Sequence, residues 1–556
     1  MNPNQDPASA IERVWRYHDV TKHRLEAYAR GPAYLDWDSQ PDPFRRWHDA
    51  PCHPLPLVDD GTPVPFAALY ADTQPMSVVD ERSLAHMLEL AFGLSAWKRL
   101  GPDRWALRCN PSSGNLHPTE VYLILWRSVS PDLGSGLYHY APYDHALERR
   151  ATLPTVVAET LAARHSASFG AVGLSSIVWR EAWKYGARAL RYCQLDVGHA
   201  VASLRYAAGV LGWTASVDAQ VADDTAAHVL GLQRGDDLRG AETEIAELLI
   251  VLGDQDVTPP DWAALAGALC DWRGVASRLG EQHVEWHEID AVLPALTKPV
   301  TAARRRVHAV PEREADVPDG PRDAAALIRS RRSAQRMDGA SRLDLTAFCS
   351  MLKRTLPQSL PVSSLAVDTA VHLLLFVHAV EGLEPGLYVL VRDDAALPAL
   401  QATLRPQGGT WQREAVCDVP LYRLLAPCDV RHAAAHLSCH QAIAGKGVFA
   451  VAMLAEFLPV LQRDGAWAWK RLHWEAGAIG QVLYLEAEAQ GLRGTGIGCF
   501  FDDEVHAVLG LPDTTRPEWQ VVYHFTVGGA VDDARLATEP AYAHLAAQGR
   551  VRGAAT

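Results

Sequence analysis

Apolar residues recur at three- and four-residue spacing along Leu190, Cys193, Val197, Val201, Leu204, Ala208 and Leu211, and Gly212 follows. This period predicts one long helix with a glycine stop. A second helix of the same kind is predicted over about 474–490, ending at Gly491. Short apolar runs predict strands at Val121–Trp126, Glu247–Leu252, His372–Val377, Gly386–Val391 and Val521–Phe525. The mixture reads as an α+β chain.

The two helix signals belong to a longer repeat. Asp196 to Leu232 aligns without a gap on Glu475 to Leu511, at a constant offset of 477 − 198 = 279 for the first glycine pair. Gly198/Gly477, Leu204/Leu483, Gly212/Gly491 and Asp223-Asp224/Asp502-Asp503 match at that offset. So long a period is not a solenoid. It predicts two fused copies of one domain, a covalent version of a two-fold dimer with the long helices at its interface.

Residues 1–60 form an N-terminal extension, rich in Trp, Tyr and Phe, in which Tyr17, His18 and Trp37 are expected to pack against the core or cover a site. The first copy spans about 61–254. A stretch over 255–320 combines a Trp-rich helical part with a linker carrying Arg304–Arg306 and the acidic Glu312–Asp319. The second copy spans about 321–545, with a loose tail. A net charge of −14 argues against nucleic acid or an anionic membrane surface. Val448–Leu461 is the nearest approach to a spanning segment, and Glu456 interrupts it. Nine scattered cysteines without a C-x-x-C pair read as reduced thiols in a cytoplasmic protein.

Three motifs carry candidate chemistry. Arg108-Cys-Asn-Pro111-Ser112-Ser113-Gly114-Asn115-Leu-His117-Pro118 offers hydroxyls and backbone N–H groups before a strand; a plain turn is the alternative. Ser330-Arg331-Arg332-Ser333-Ala-Gln335 suits a phosphomonoester; a solvated basic face is the alternative. Gly491-Leu-Arg-Gly494-Thr-Gly496-Ile497-Gly498 follows a helix. It is therefore not a dinucleotide fingerprint, which follows a strand. Its glycines are expected to let backbone approach a ring. His432, His436 and His440 share a helical spacing but lack a fourth ligand, so no metal site is expected. His199 reads as a buried, hydrogen-bonded histidine. Asp502-Asp503 reads as a helix start.

Together these strings resemble the nitroreductase superfamily of FMN enzymes, and within it the SagB/ThcOx-type dehydrogenases. The resemblance implies two fused nitroreductase-like domains with FMN at their interface. Arg331, Arg332 and Ser333 would hold the phosphate, with Gln335 near the ring or ribityl and Arg535 as a second phosphate contact. Gly496, Ile497 and Gly498 would face the N5/O4 edge. The opposite partner would supply Pro111, Ser112, Ser113, Gly114 and Asn115, with Arg108 nearby.

The first copy has no Arg-Arg-Ser near 68–74, and its counterpart of Thr495–Gly498 is Ser216–Ala219. The second copy has Pro361–Ala366 in place of the Pro-Ser-Ser-Gly-Asn loop. One composite FMN site per chain is therefore expected, in a monomeric pseudo-dimer. Lys184-Tyr185 resembles the Lys-Tyr pair of azoline-oxidising dehydrogenases, which implies Tyr as proton acceptor and Lys as the group favouring its ionised form. An aromatic residue beside a snorkelling lysine is the alternative.

The activity implied is dehydrogenation of a small molecule or peptide-derived heterocycle, with electrons passing to O2 or another acceptor. The alternatives are an NAD(P)H-dependent nitro- or quinone-type reductase and a non-catalytic flavin-binding scaffold.

Overall fold

The structure is a computed structural model and describes residues 7–71, 74–254, 257–281, 284–302, 322–512, 514 and 516–552. The expected basic and acidic runs between 304 and 319 lie outside the described residues, as do positions 72 and 73 of the 68–74 stretch.

Two long helices, Ala189–Val210 and Ala468–Ala489, cross at the centre of the molecule. Their bounds keep the repeat offset, since 468 − 189 = 279 and 489 − 210 = 279. Gly212 and Gly491 follow them at φ +67° and +74°, the left-handed conformation that ends a helix. Gly198 and Gly477 sit where the helices cross. A Cβ on Gly198 would overlap the Trp474 carbonyl, and one on Gly477 would overlap that of Leu195. Residues 195 and 474 are themselves a matched pair (474 − 195 = 279), so the contact is reciprocal. Only glycine lets the two backbones approach this closely.

The second helix begins six residues earlier than its apolar period suggests. Trp469, Lys470, Arg471 and His473 interrupt the pattern, yet all four are buried. Lys470 explains why: its ammonium reaches Asp223 in the first half at 2.7 Å. The matched pair is Arg191 to Asp502 at 2.8 Å. Both offsets are 279 (470 − 191 and 502 − 223). Each central helix thus sends a cation to the carboxylate that opens a short helix of the opposite half. Asp502 is therefore more than a helix-start residue. It also pairs with Arg188 at 3.3 Å and accepts the N–H of His23.

Each half carries a seven-stranded sheet. The spatial order in the first is Cys52–Pro54, Ala146–Thr152, Gly136–Ala141, Thr119–Leu125, Ser168–Ser176, Ile245–Gly253, Thr214–Val217. The second runs Gln412–Arg413, Leu421–Arg423, Gly386–Leu390, Val371–Val377, Phe449–Glu456, Trp519–Gly528, Arg493–Ile497. The registered pairs within both sheets are antiparallel. All five predicted strands are present. The run 448–461 resolves into strand Phe449–Glu456 and helix Phe457–Asp464, because a strand buried on both faces is apolar throughout. Among the described residues no helix is long and apolar enough to cross a membrane.

The ends lock the halves together. Helix Pro7–Val20 buries Trp15 and His18 against Phe457 of the second half. Tyr17 donates to the Ala187 carbonyl, so Tyr17 and His18 pack rather than cover a cavity. Ala537–Glu539, from the end of the chain, pairs with Leu94–Leu100 of the first half. The tail is tied down from 545 to 552: Leu545 is buried, Arg550 donates to the carbonyls of Asp144, Leu55 and His145, and Arg552 pairs with Glu89. One cysteine pair departs from the all-thiol expectation. Cys349 and Cys417 are joined as a disulfide, with their Cα atoms 5.4 Å apart.

Candidate flavin site between the halves

A cavity of about 930 Å³ opens between the two halves. From the first half, Arg108, Pro111, Ser112, Ser113, Gly114 and Asn115 line it. From the second come Arg331, Arg332, Ser333 and Gln335, with Gly496, Ile497 and Gly498. Residues more than 200 positions apart thus share one wall.

Arg331 follows helix Ala324–Ser330, which Asp323 caps. Its guanidinium is buried and bridges the halves: Nε donates to the Cys109 carbonyl at 3.0 Å and Nη2 to that of Arg108 at 3.1 Å. Nη1 is buried and has no hydrogen-bond partner among the described residues. Its remaining donors and its charge point to an anionic ligand, since an unpaired buried donor is costly. Arg332, Lys98 and Arg493 line the same cavity. Burial, and next the charge of Arg331, lower the Arg332 pKa to about 10. Such an excess of cations fits a phosphate.

The glycines serve the protein's own rings. A Cβ on Gly496 would overlap the Tyr523 hydroxyl, and one on Gly498 the Tyr192 ring. The Gly496 N–H donates to Tyr484 Oη at 2.9 Å, so among the three N–H groups expected to face a ligand this one has a protein acceptor. The Gly498 carbonyl accepts from Arg188 and Tyr192. Gly114, at φ +59°, lies under Tyr185: an added Cβ would come 2.6 Å from the hydroxyl.

Two expected site residues fall elsewhere. Arg535 is exposed and turns back onto Asp533 at 2.6 Å, a local pair that leaves it outside the cavity wall. Lys184 lies in the last turn of helix Val178–Tyr185 and is not among the residues lining the cavity; its ammonium lies 5.6 Å from the Trp37 ring and 5.4 Å from that of Tyr185. Tyr185 alone of the pair lines the cavity. Burial, reinforced by Glu181, Tyr192 and Asp196, holds its phenol well above the ordinary value. The expected lowering by Lys184 is thus reversed, because desolvation and nearby acids outweigh one half-exposed ammonium.

Several lining residues lie outside the three motifs, and His199 is buried and hydrogen-bonded as its place in the helix suggests. Asp196, on the first central helix, accepts from the Ser113 N–H at 3.1 Å and the Ser113 hydroxyl at 3.0 Å. Burial raises its pKa to about 7, against the hydrogen bonds from Ser112 and Ser113. His199 is buried between Gln481 and Tyr523, at 3.3 and 3.1 Å, and burial lowers its pKa to about 3. Tyr192, Tyr484 and Tyr523 complete an aromatic wall. Tyr192 and Tyr484 come from the two central helices and Tyr523 from strand Trp519–Gly528, so no run of adjacent residues marks them.

The related position on the other side of the pseudo-dimer is built differently. There the turn Phe66–Tyr70 packs its rings on Tyr206, Tyr70 donates to Glu486 at 2.8 Å, and Glu486 pairs with Arg354 at 2.9 Å. The loop Val362–Leu365 packs directly on strand Thr214–Val217. The histidine series is also interrupted: helix Arg431–Leu437 ends before the left-handed Cys439 and His440. Among the described residues no group of three or more ligand-type side chains is placed to hold a metal ion.

The sequence profile of the nitroreductase family matches residues 393–529. The second half carries a nitroreductase-family domain. A protein from Anabaena variabilis classed as a nitroreductase has the same fold over nearly its whole length. It is 21% identical, with 93% of this chain and 99% of that chain covered and a TM-score of 0.66. Partial matches include a chain of the E. coli microcin synthetase McbBCD complex with truncated pro-MccB17 bound, at 24% identity over 33% of this chain and 66% of that one, TM-score 0.25. A Ralstonia eutropha protein also classed as a nitroreductase matches at 16% identity over 38% and 94%, TM-score 0.26. None of the curated proteins matches the chain.

Asp196 makes stability depend on pH. Its folded pKa of about 7 lies above the ordinary 3.8, so between those values the folded chain keeps a proton that the unfolded chain releases. Stability therefore falls as pH rises through that window, by at most about 4 kcal/mol, and is flat above it. Asp196→Asn removes the titration. Denaturant unfolding is expected to show the variant more stable than the parent at pH 8 and close to it at pH 4.5.

Proposed function

We propose that the chain is an FMN-dependent oxidoreductase with a single flavin site between its halves, dehydrogenating a small molecule or peptide-derived heterocycle. The observation that carries this reading is Arg331: a buried guanidinium spanning both halves, with one unpartnered nitrogen, on a cavity shared by the Ser112–Asn115 loop and the Gly496–Gly498 strand end. The nitroreductase-family match to residues 393–529 supports it.

In this reading Arg331, Arg332 and Ser333 hold the phosphate, and the loop Pro111–Asn115 flanks the ring from the other half. When bound, FMN supplies two-electron redox chemistry. The chain's own residues position it and handle protons. Asp196 Oδ is the group best suited to take up and release a proton near neutral pH, since its pKa of about 7 matches that range. Tyr185 Oη, kept protonated by burial, acts as a hydrogen-bond donor at the cavity wall. The tyrosine and histidine rings on that wall exclude water.

The test separates three activities. The isolated protein is expected to show an oxidised flavin spectrum that excess NAD(P)H bleaches only slowly without oxygen. Rapid bleaching would indicate the nitro- or quinone-type reductase. A colourless protein that does not take up FMN would remove the flavin reading altogether.

A further inference from the structure

The end of the flavin strand brings two thiols together that the repeat and the motifs do not single out. Cys499 follows Gly498 and lines the cavity. Cys439, sixty residues earlier, lies near enough that each thiol perturbs the other. Both side chains are partly exposed. The segments are stitched on either side of the thiols: Phe501 N–H donates to the Leu437 carbonyl at 2.9 Å, and Gln441 Nε2 to the Cys499 carbonyl at 3.2 Å. Cys439 and His440 are consecutive non-glycine residues in the left-handed region, at φ +53° and +59°. Such backbone costs free energy and persists where surrounding structure enforces it, commonly at functional sites.

We propose that Cys499 and Cys439 form a reactive thiol pair on the cavity wall, Cys499 attacking and Cys439 resolving, which reduces a small-molecule disulfide. The Cys499 thiolate attacks one sulfur of R–S–S–R. The S–S bond breaks, R–S⁻ leaves, and a mixed disulfide forms. Cys439 gives its proton to the departing thiolate, attacks the Cys499 sulfur and expels the second R–S⁻. In sum, one R–S–S–R and two cysteine thiols give two R–SH and one Cys439–Cys499 disulfide, and the external disulfide is the oxidant.

The surroundings favour this division of roles. The Cys499 pKa is lowered to about 5, first by the hydrogen bond from the Cys439 thiol, against burial, and then by His23 and Arg188. Cys439 is raised by the same contact. The N-terminal segment supplies His23 beside Cys499 and Tyr28 beside Cys439. Tyr185, Arg188 and Tyr192 face Cys499 from the first half, and Asp502 faces Cys439 from the next helix. Five other cysteines differ: Cys109 and Cys193 are buried, Cys349 and Cys417 are already joined, and burial raises Cys52; Cys270 and Cys428 are accessible but do not line this cavity.

To test it, the full-length protein as isolated is mildly reduced, freed of reductant and exposed to oxidised glutathione at pH 6.5. Free thiols are then blocked and peptides mapped by mass. A Cys439–Cys499 cross-link is expected as the main new species. Cys439→Ser should trap glutathione on Cys499, and Cys499→Ser should leave Cys439 unmodified. The rate of Cys499 alkylation by iodoacetamide in the parent should rise with pH and already be flat above about pH 6.5, whereas an ordinary thiol titrates near 8.5. Glutathione appearing first on exposed Cys52 and Cys428, with 439 and 499 free, would overturn the proposal, as would a Cys499 inflection near 8.5. Peptide mass reads the thiols whether or not flavin is bound, so failure here and failure of the flavin assignment are distinguishable.

Discussion

Arg331→Ala is expected to weaken FMN binding roughly a hundredfold. The loss corresponds to about 3 kcal/mol, the size of a charge-assisted hydrogen bond to a phosphate in a partly desolvated site. Fluorescence titration of FMN into the flavin-free protein reads it directly. The variant also loses the bonds from Arg331 to the carbonyls of Arg108 and Cys109, so circular dichroism must confirm that it folds. Arg331→Lys keeps the charge but not the planar fork, and should fall between. Arg535→Ala is the contrasting case. That side chain is exposed and tied to Asp533, and its removal should change the affinity less than twofold. Equal losses at 331 and 535 would place the phosphate elsewhere.

The second large effect is at the helix crossing. Inside a helix, glycine to alanine normally stabilises, by up to about 1 kcal/mol. At Gly477 the sign should reverse. The new Cβ would overlap the Leu195 carbonyl and lie 3.0 Å from the Gly198 Cα, and neither backbone can yield without separating the halves. A loss of about 3 kcal/mol is expected in denaturant unfolding. Gly267→Ala tests the contrast, since Gly267 is also helical, within Trp262–Ala268, but has nothing within 4 Å of its Cβ position. If both variants gain stability, the close crossing is not what holds the halves together.

These two sites mark what could be read along the chain. The central helices were legible because their periods and glycine stops are local, and the repeat tied them to each other. The start of the second was hidden, because Lys470 and Arg471 look like surface residues until their distant partners, such as Asp223, are known. Strand Ser168–Ser176, an inner strand of the first sheet, has too many glycines and serines to show a strand period. At the site, the basic triplet and the Ser-Ser-Gly-Asn loop are contiguous motifs, and both reach the cavity. Asp196, Tyr192 and Tyr523 are single residues whose roles depend on packing. Lys184 was misjudged because its direction from the helix end, toward Trp37, is a tertiary fact.

The account depends on the two halves being unequal: one cavity carries an arginine with an unpartnered nitrogen beside the Ser112–Asn115 loop, while the related position holds the buried Tyr70, Tyr206 and Arg354–Glu486 pair. Flavin released by denaturation, counted by absorbance against polypeptide concentration after saturation with FMN, tests this most directly. One flavin per chain is predicted. A ratio near two would contradict it.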